Sequence, residues 1–158
     1  MDGEDHLCGE CLSTRRPYAV ARATGLYDGT LLAAIHRFKY RGQVGLGRTL
    51  GRLMADCISE TWATEAFSLV IPVPLHRKKL QERGFNQAVI LARAISRRYD
   101  IPLDFLSLKR ILCTRSQVGL GREERQENVR GVFAVTRPGH VKGKRILLVD
   151  DVYTTGST

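Results

Sequence analysis

The sequence predicts an α/β domain with a mainly parallel sheet flanked by helices, and three observations carry that prediction. Short apolar runs of strand length, Phe67–Val73 and Arg145–Val149, alternate with segments of helical length. The clearest helix covers residues 46–62, where Leu46, Leu50, Leu53, Met54, Cys57 and Ile58 fall on one face at helical spacing. The last apolar run ends in Asp150-Asp151 and a hydroxyl-rich loop, the end of a strand at which open α/β sheets bind ligands.

Taken in chain order, residues 1–17 are polar and lack periodicity. Tyr18–Leu26 alternates small apolar residues with Arg22 and Thr24 and is expected to be a strand. Tyr27-Asp28-Gly29-Thr30 makes a turn, with Asp28 placed to cap a helix over Leu31–Phe38. Gly42, Gly45 and Gly47 break the chain before the helix at 46–62, in which Cys57 is assigned to the core, as a small hydrophobe. Phe67–Val73 is a buried strand that runs through Pro72 and Pro74 into a loop. Asn86 opens a helix through Tyr99 with Ala88, Leu91, Ala92 and Ile95 inward, and Asp100-Ile101-Pro102 ends it. Residues 106–112 and Val132–Val135 are expected as strands. Between them, residues 113–131 are rich in Arg and Gln without apolar period, the signature of a functional or disordered segment.

Composition bounds the function. A chain of 158 residues with 43% hydrophobic residues can bury one core and is not disordered. Its apolar runs are too short to span a membrane, and no apolar stretch follows the acidic residues 2–10, so neither membrane insertion nor a secretory signal is expected and the cytoplasm is the expected compartment. The net charge is +9, from 25 basic and 16 acidic residues; four of the acids lie in the first ten positions, so residues 11–158 hold 25 basic against 12 acidic residues, a net +13. That field suits polyanions such as nucleic acid, nucleotides or pyrophosphates, or serves as a solvated basic surface. Aromatics lie among cations at Arg37-Phe38-Lys39-Tyr40-Arg41, a pattern able to stack bases, although the favoured reading places Phe38 in the core and the cations on a solvated helix edge.

The chemistry concentrates at Ile146–Thr158. Thr154, Thr155, Ser157 and Thr158 offer hydroxyls and Gly156 lets backbone N–H groups approach a phosphate closely. Asp150 and Asp151 suit sugar hydroxyls or hydrated Mg2+ rather than phosphate, since like charges repel. The order of strand, acid pair and hydroxyl-rich glycine loop resembles the phosphoribosyl pyrophosphate (PRPP) motif of type I phosphoribosyltransferases, with Tyr153 where most of that superfamily has an aliphatic residue. Further blocks resemble the ComF family, phosphoribosyltransferase-like proteins associated with DNA-uptake competence. They are Ile35–Gly42, Val73-Pro74-Leu75-His76, Arg83–Ala88, Gln117–Leu120, Glu124-Arg125 and Asn128–Gly131.

The resemblance covers about residues 8–158 and implies a residue-by-residue assignment. Asp150 and Asp151 would take the ribose hydroxyls and organise Mg2+, and Thr154, Thr155, Gly156, Ser157 and Thr158 would wrap the 5-phosphate. His76, Arg77, Lys78 and Arg83 lie at the place of the pyrophosphate loop. Residues 114–130 would form a mobile flap in which Arg115 and Arg125 close over pyrophosphate. The reaction implied is displacement of pyrophosphate at the anomeric carbon, with no side-chain nucleophile. The acceptor is not legible.

The resemblance divides the chain into residues 1–17, a remnant of an N-terminal zinc ribbon, and residues 18–158, the phosphoribosyltransferase-like domain. Cys8 and Cys11 would be half of a zinc site whose remaining ligands are missing, four being the structural norm. The family continues beyond Thr158 with a helix and at least one strand, so a chain incomplete at its C-terminus, and at its N-terminus, is expected, and a homodimer would compensate an incomplete sheet. Three functions fit: a PRPP-using transferase, a non-catalytic accessory protein that binds single-stranded DNA or the competence machinery, and a PRPP-sensing regulator.

Overall fold

The computed structural model describes residues 18–112 and 131–153. Its elements in chain order are α1 (Gly29–Tyr40), α2 (Leu46–Thr61), a 3-10 turn (Thr64–Ala66), β1 (Leu69–Pro72), α3 (Arg77–Arg83), α4 (Gln87–Tyr99), β2 (Leu108–Arg110), β3 (Phe133–Val135), α5 (Pro138–Val141) and β4 (Ile146–Val149). The α/β class is as expected.

β1 and β4 pair in parallel, with Leu69 opposite Ile146 and Pro72 opposite Val149. On its other side β1 meets Leu103 through a single parallel bridge. There Val70 N–H donates to the Pro102 carbonyl at 2.8 Å and Asp104 N–H to the Val70 carbonyl at 2.9 Å. β1 is therefore central, which explains why every one of its side chains is buried and why its sequence shows a continuous apolar run rather than alternation. β2 and β3 pair antiparallel, Leu108 opposite Val135 and Arg110 opposite Phe133. Both were expected as strands, without a direction.

Helix α4 covers the sheet, touching β1 and β4, and α2 packs on α4. The helix–helix contact is set by glycine. A Cβ at Gly47 would lie 2.6 Å from Ile90 Cγ2, and one at Gly51 would lie 2.6 Å from Ala94 Cβ. The buried face of α2 is thus Gly47, Leu50, Gly51, Ala55 and Ile58, rotated from the one that leucine spacing alone suggests. Leu53, expected inward, is 46% exposed. Cys57 is half-buried rather than fully in the core. Phe38 is fully buried and joins α1 to the same core, with Phe85 stacked 5.6 Å away.

Two expectations are corrected and a third is narrowed. Residues 18–26 form no strand and are exposed apart from the half-buried Tyr18; among the described residues no strand pairs with them to supply backbone partners. Asp28 stands at the N-cap of α1 but its side chain makes no capping bond, while its carbonyl accepts from Leu32 N–H at 2.9 Å. The loop expected after β1 is present but confined to residues 73–76, because a helix, α3, follows it; Gly84, at φ 80° in the left-handed region, ends that helix.

Asp104, almost fully buried, ties the β2–β3 unit to the sheet. Its Oδ1 accepts from Leu106 N–H at 2.8 Å and Ser107 N–H at 2.9 Å, and its Oδ2 accepts from Ser107 Oγ. His140 Nδ1 lies 3.4 Å from the same Oδ2. Burial alone would raise this carboxyl, but the hydrogen bonds and the His140 ring bring it down to about 2.

Candidate functional site

The parallel pair defines one end of the molecule at which both strands stop: β4 at Asp150-Asp151 and β1 at Val73-Pro74. Asn86 braces this end from the β1 side. Its Nδ2 donates to the Val73 carbonyl at 3.0 Å while its Oδ1 accepts from Ala88 N–H at 2.9 Å, capping α4. Gln87, 2% exposed, follows, and its amide nitrogen has no partner among the described residues. It is an unspent donor at the same end of the sheet.

The two acids are half-buried and do not face the same partners. Asp150 Oδ1 accepts from Asp151 N–H at 2.8 Å, so the first carboxylate folds over the turn that begins the loop. Asp151 Oδ1 lies 2.8 Å from Lys39 Nζ, with the two side chains only 11% and 16% exposed. Burial, and then the negative charge of Asp151, push the Asp150 carboxyl up to about 7 against the opposing pull of Lys39.

Lys39 reaches the acids from the last turn of α1, whose rotation is held by the buried Phe38 beside it. The next residue, Tyr40, is 61% exposed and carries Arg83 over its ring at 5.3 Å. The end of α1 thus joins β4, through Lys39, to α3, through Tyr40 and Arg83. Tyr18 and Tyr153 share a hydroxyl–hydroxyl hydrogen bond of 2.6 Å, which brings the start of the described chain to the second residue after the acid pair.

The remaining expected residues divide as follows. His76 is the N-cap of α3, its Nδ1 accepting from Lys78 N–H at 3.3 Å. Arg77 and Lys78 are exposed on α3, and Lys79 pairs with Glu82 at 2.9 Å. These cations therefore ride on a short helix leading from the carboxyl end of β1. Arg115, Arg125, Thr154, Thr155, Gly156, Ser157, Thr158, Cys8 and Cys11 lie outside the described residues. Among the described residues no group of three or more His, Cys, Asp or Glu side chains converges as a metal site, and no helix is long and apolar enough to cross a membrane.

Lys39 is the partner of the acid pair that motif reasoning missed. It lies within the Ile35–Gly42 block, which was legible as a family block and as an aromatic–basic stretch, but nothing in that block names Asp151 as its partner. On its outer face the same helix carries a groove of about 300 Å³ lined by Ala33, His36, Arg37, Tyr40 and Arg41. The rings of Tyr27, His36 and Tyr40 follow one another along it at 6.3 and 5.5 Å.

The chain is thus an α/β domain with an acid pair at the carboxyl end of a parallel strand, the end at which open α/β sheets bind ligands, and with cations on the adjoining elements. The comparisons with known proteins place it further. The chain is 36% identical over 155 residues to competence protein F of Haemophilus influenzae, a match covering 96% of this chain and 68% of that protein. It is 31% identical over 157 residues to the DNA utilization protein YhgH of Escherichia coli, covering 97% and 68%. Competence protein ComFC of Bacillus subtilis is 28% identical over 137 residues, covering 87% and 53%. The chain belongs to the ComF family. No family model and no solved structure matches it.

Proposed function

We propose that this chain binds PRPP with Mg2+ at the carboxyl end of β4 and transfers the phosphoribosyl group to an acceptor with release of pyrophosphate, in DNA uptake or nucleotide metabolism. The observation that carries the proposal is the half-buried Asp150-Asp151 pair at the end of a parallel strand, with a lysine ammonium held against it. The donor set fits Mg2+: a protein commonly supplies that ion one or two carboxylates while phosphate oxygens and waters complete its shell. That the Asp151 carboxylate already holds a cation at contact distance is consistent with this fit.

In the proposed reaction the bond from the anomeric carbon to pyrophosphate breaks as the bond to the acceptor forms, and the electron pair leaves with pyrophosphate. Mg2+, when bound, neutralises the departing charge. Asp150 and Asp151 hold the ribose hydroxyls and orient the sugar. Arg77, Lys78 and Arg83 lie at the adjoining strand end to offset the negative charge of pyrophosphate. From the family resemblance, Thr154–Thr158 receive the 5-phosphate and Arg115 and Arg125 close over the pyrophosphate. The names of the relatives, which speak of competence and DNA utilization, support the association with DNA uptake.

The test is a thermal melt with PRPP at fixed millimolar Mg2+. A ligand that binds only the native state raises the midpoint as its concentration rises. The midpoint is expected to climb with PRPP in the wild-type chain and to stay put in Asp150→Asn. A cooperative wild-type melt that PRPP leaves unmoved removes the proposal. With an acceptor, pyrophosphate release separates transfer from PRPP sensing.

A second reading rests on a different observation. The exposed succession Tyr27, His36 and Tyr40, flanked by Arg37 and Arg41, offers stacking faces and cations along one helix, an arrangement that suits single-stranded nucleic acid.

A further inference from the structure

We infer that Lys39 is a built-in counter-cation of the acid pair, seated on Asp151 where a divalent metal ion binds, and that metal and lysine exchange. This rests on the proposed use of Asp150 and Asp151 as metal ligands. Two adjacent carboxylates, both half-buried, need compensating positive charge when no ligand is present. Lys39 supplies it from another element, at 2.8 Å, with both side chains largely withdrawn from solvent. Its delivery is built into the fold: Phe38, beside it in α1, is fully buried and stacks on Phe85, so the last turn of α1 cannot rotate Lys39 away without opening the core. Tyr40 on its other side meets Arg83 and completes the restraint. A divalent ion ligated by Asp151 Oδ1 would repel the ammonium at that distance, so ligation and the ion pair exclude each other. The long lysine stem allows the ammonium to leave without moving α1.

The test uses the full chain and Mn2+ as the probe, with free Mn2+ read by electron paramagnetic resonance. Lys39→Met removes the competing charge and keeps the apolar stem. It is expected to bind Mn2+ about five-fold more tightly than the wild type, the scale of one partly screened ion pair. Lys39→Arg, which grips a carboxylate through two N–H groups, is expected to bind Mn2+ no more tightly than the wild type. A merely structural lysine predicts the opposite for Lys39→Met. Equal or weaker Mn2+ binding by that variant, with a wild-type melt, overturns the exchange, as does tighter binding by Lys39→Arg. If Lys39→Met does not melt cooperatively, Lys39→Gln takes its place. Loss of the fold in both neutral variants also overturns the inference, because a cation that the fold cannot spare cannot be surrendered to a metal. Tighter Mn2+ binding by Lys39→Met with no PRPP shift in either chain would leave the exchange standing and remove PRPP as the ligand.

Discussion

Asp150 and Asp104 carry the same side chain in opposite electrostatic settings. Asp104 is surrounded by donors that favour its ionised form, and its stabilising contribution persists above an ordinary carboxyl value and is lost only as pH falls toward 2. Asp150 is desolvated and stands beside another acid, so it keeps its proton up to about pH 7, whereas the unfolded chain releases it near 3.8. Between those values the folded state binds more protons than the unfolded one, and stability falls as pH rises through that window and is level above it. Asp150→Asn removes that loss. Its midpoint should exceed that of the wild type by several degrees near pH 8 and match it near pH 4, as read by thermal melts at the two values. Equal midpoints near pH 8 would show that the buried charge carries no such cost. The substitution expected to abolish PRPP binding is thus expected to stabilise the fold, the pattern of a residue retained for its ligand.

At the scale of elements, the seam between α2 and α4 is decided by what is absent from it. Gly51 faces Ala94 so closely that any Cβ must push the helices apart, and overpacking of this kind costs about 1–3 kcal/mol. Gly51→Val is expected to lower stability by that amount in urea titration. Gly139→Ala, in α5 with open space around it, should be neutral or gain about 0.5 kcal/mol because the unfolded chain loses freedom. Similar losses in both would mean that helix packing is not the reason for the glycine at 51. The short helix α3 follows the same logic of local chemistry: the His76 cap starts it and Gly84 ends it, so that Arg77, Lys78 and Arg83 are presented from a defined element.

The molecule as a whole is a cation with an embedded acid site. A net charge of +9 attracts polyanions, while in the proposed function Asp150 and Asp151 would select, at one end of the sheet, a ligand that brings hydroxyls and a metal. The two readings of function are separable on this ground. If the Tyr27–His36–Tyr40 face binds single-stranded DNA, the anisotropy of a labelled oligonucleotide should report binding that weakens steeply between about 50 and about 200 mM salt and is unchanged in Asp150→Asn. Salt-independent binding, or its loss in Asp150→Asn, would move nucleic acid away from that face.

Periodicity and local chemistry in the sequence were sufficient to determine the α/β class, the helices at 46–61 and 87–99, the strands β1 and β4, the Asn86 cap and the acid pair at a strand end. Each of these depends on residues a few positions apart, where spacing and propensity act directly. The strand expected at 18–26 did not form, because alternation builds a strand only where a neighbouring edge supplies hydrogen bonds. The antiparallel direction of β2 and β3, the glycine seam of α2 on α4 and the seating of Lys39 on Asp151 were decided by tertiary structure alone. All three join surfaces far apart in the chain, and which surfaces meet is set by the packing of the whole core rather than by the residues on either side.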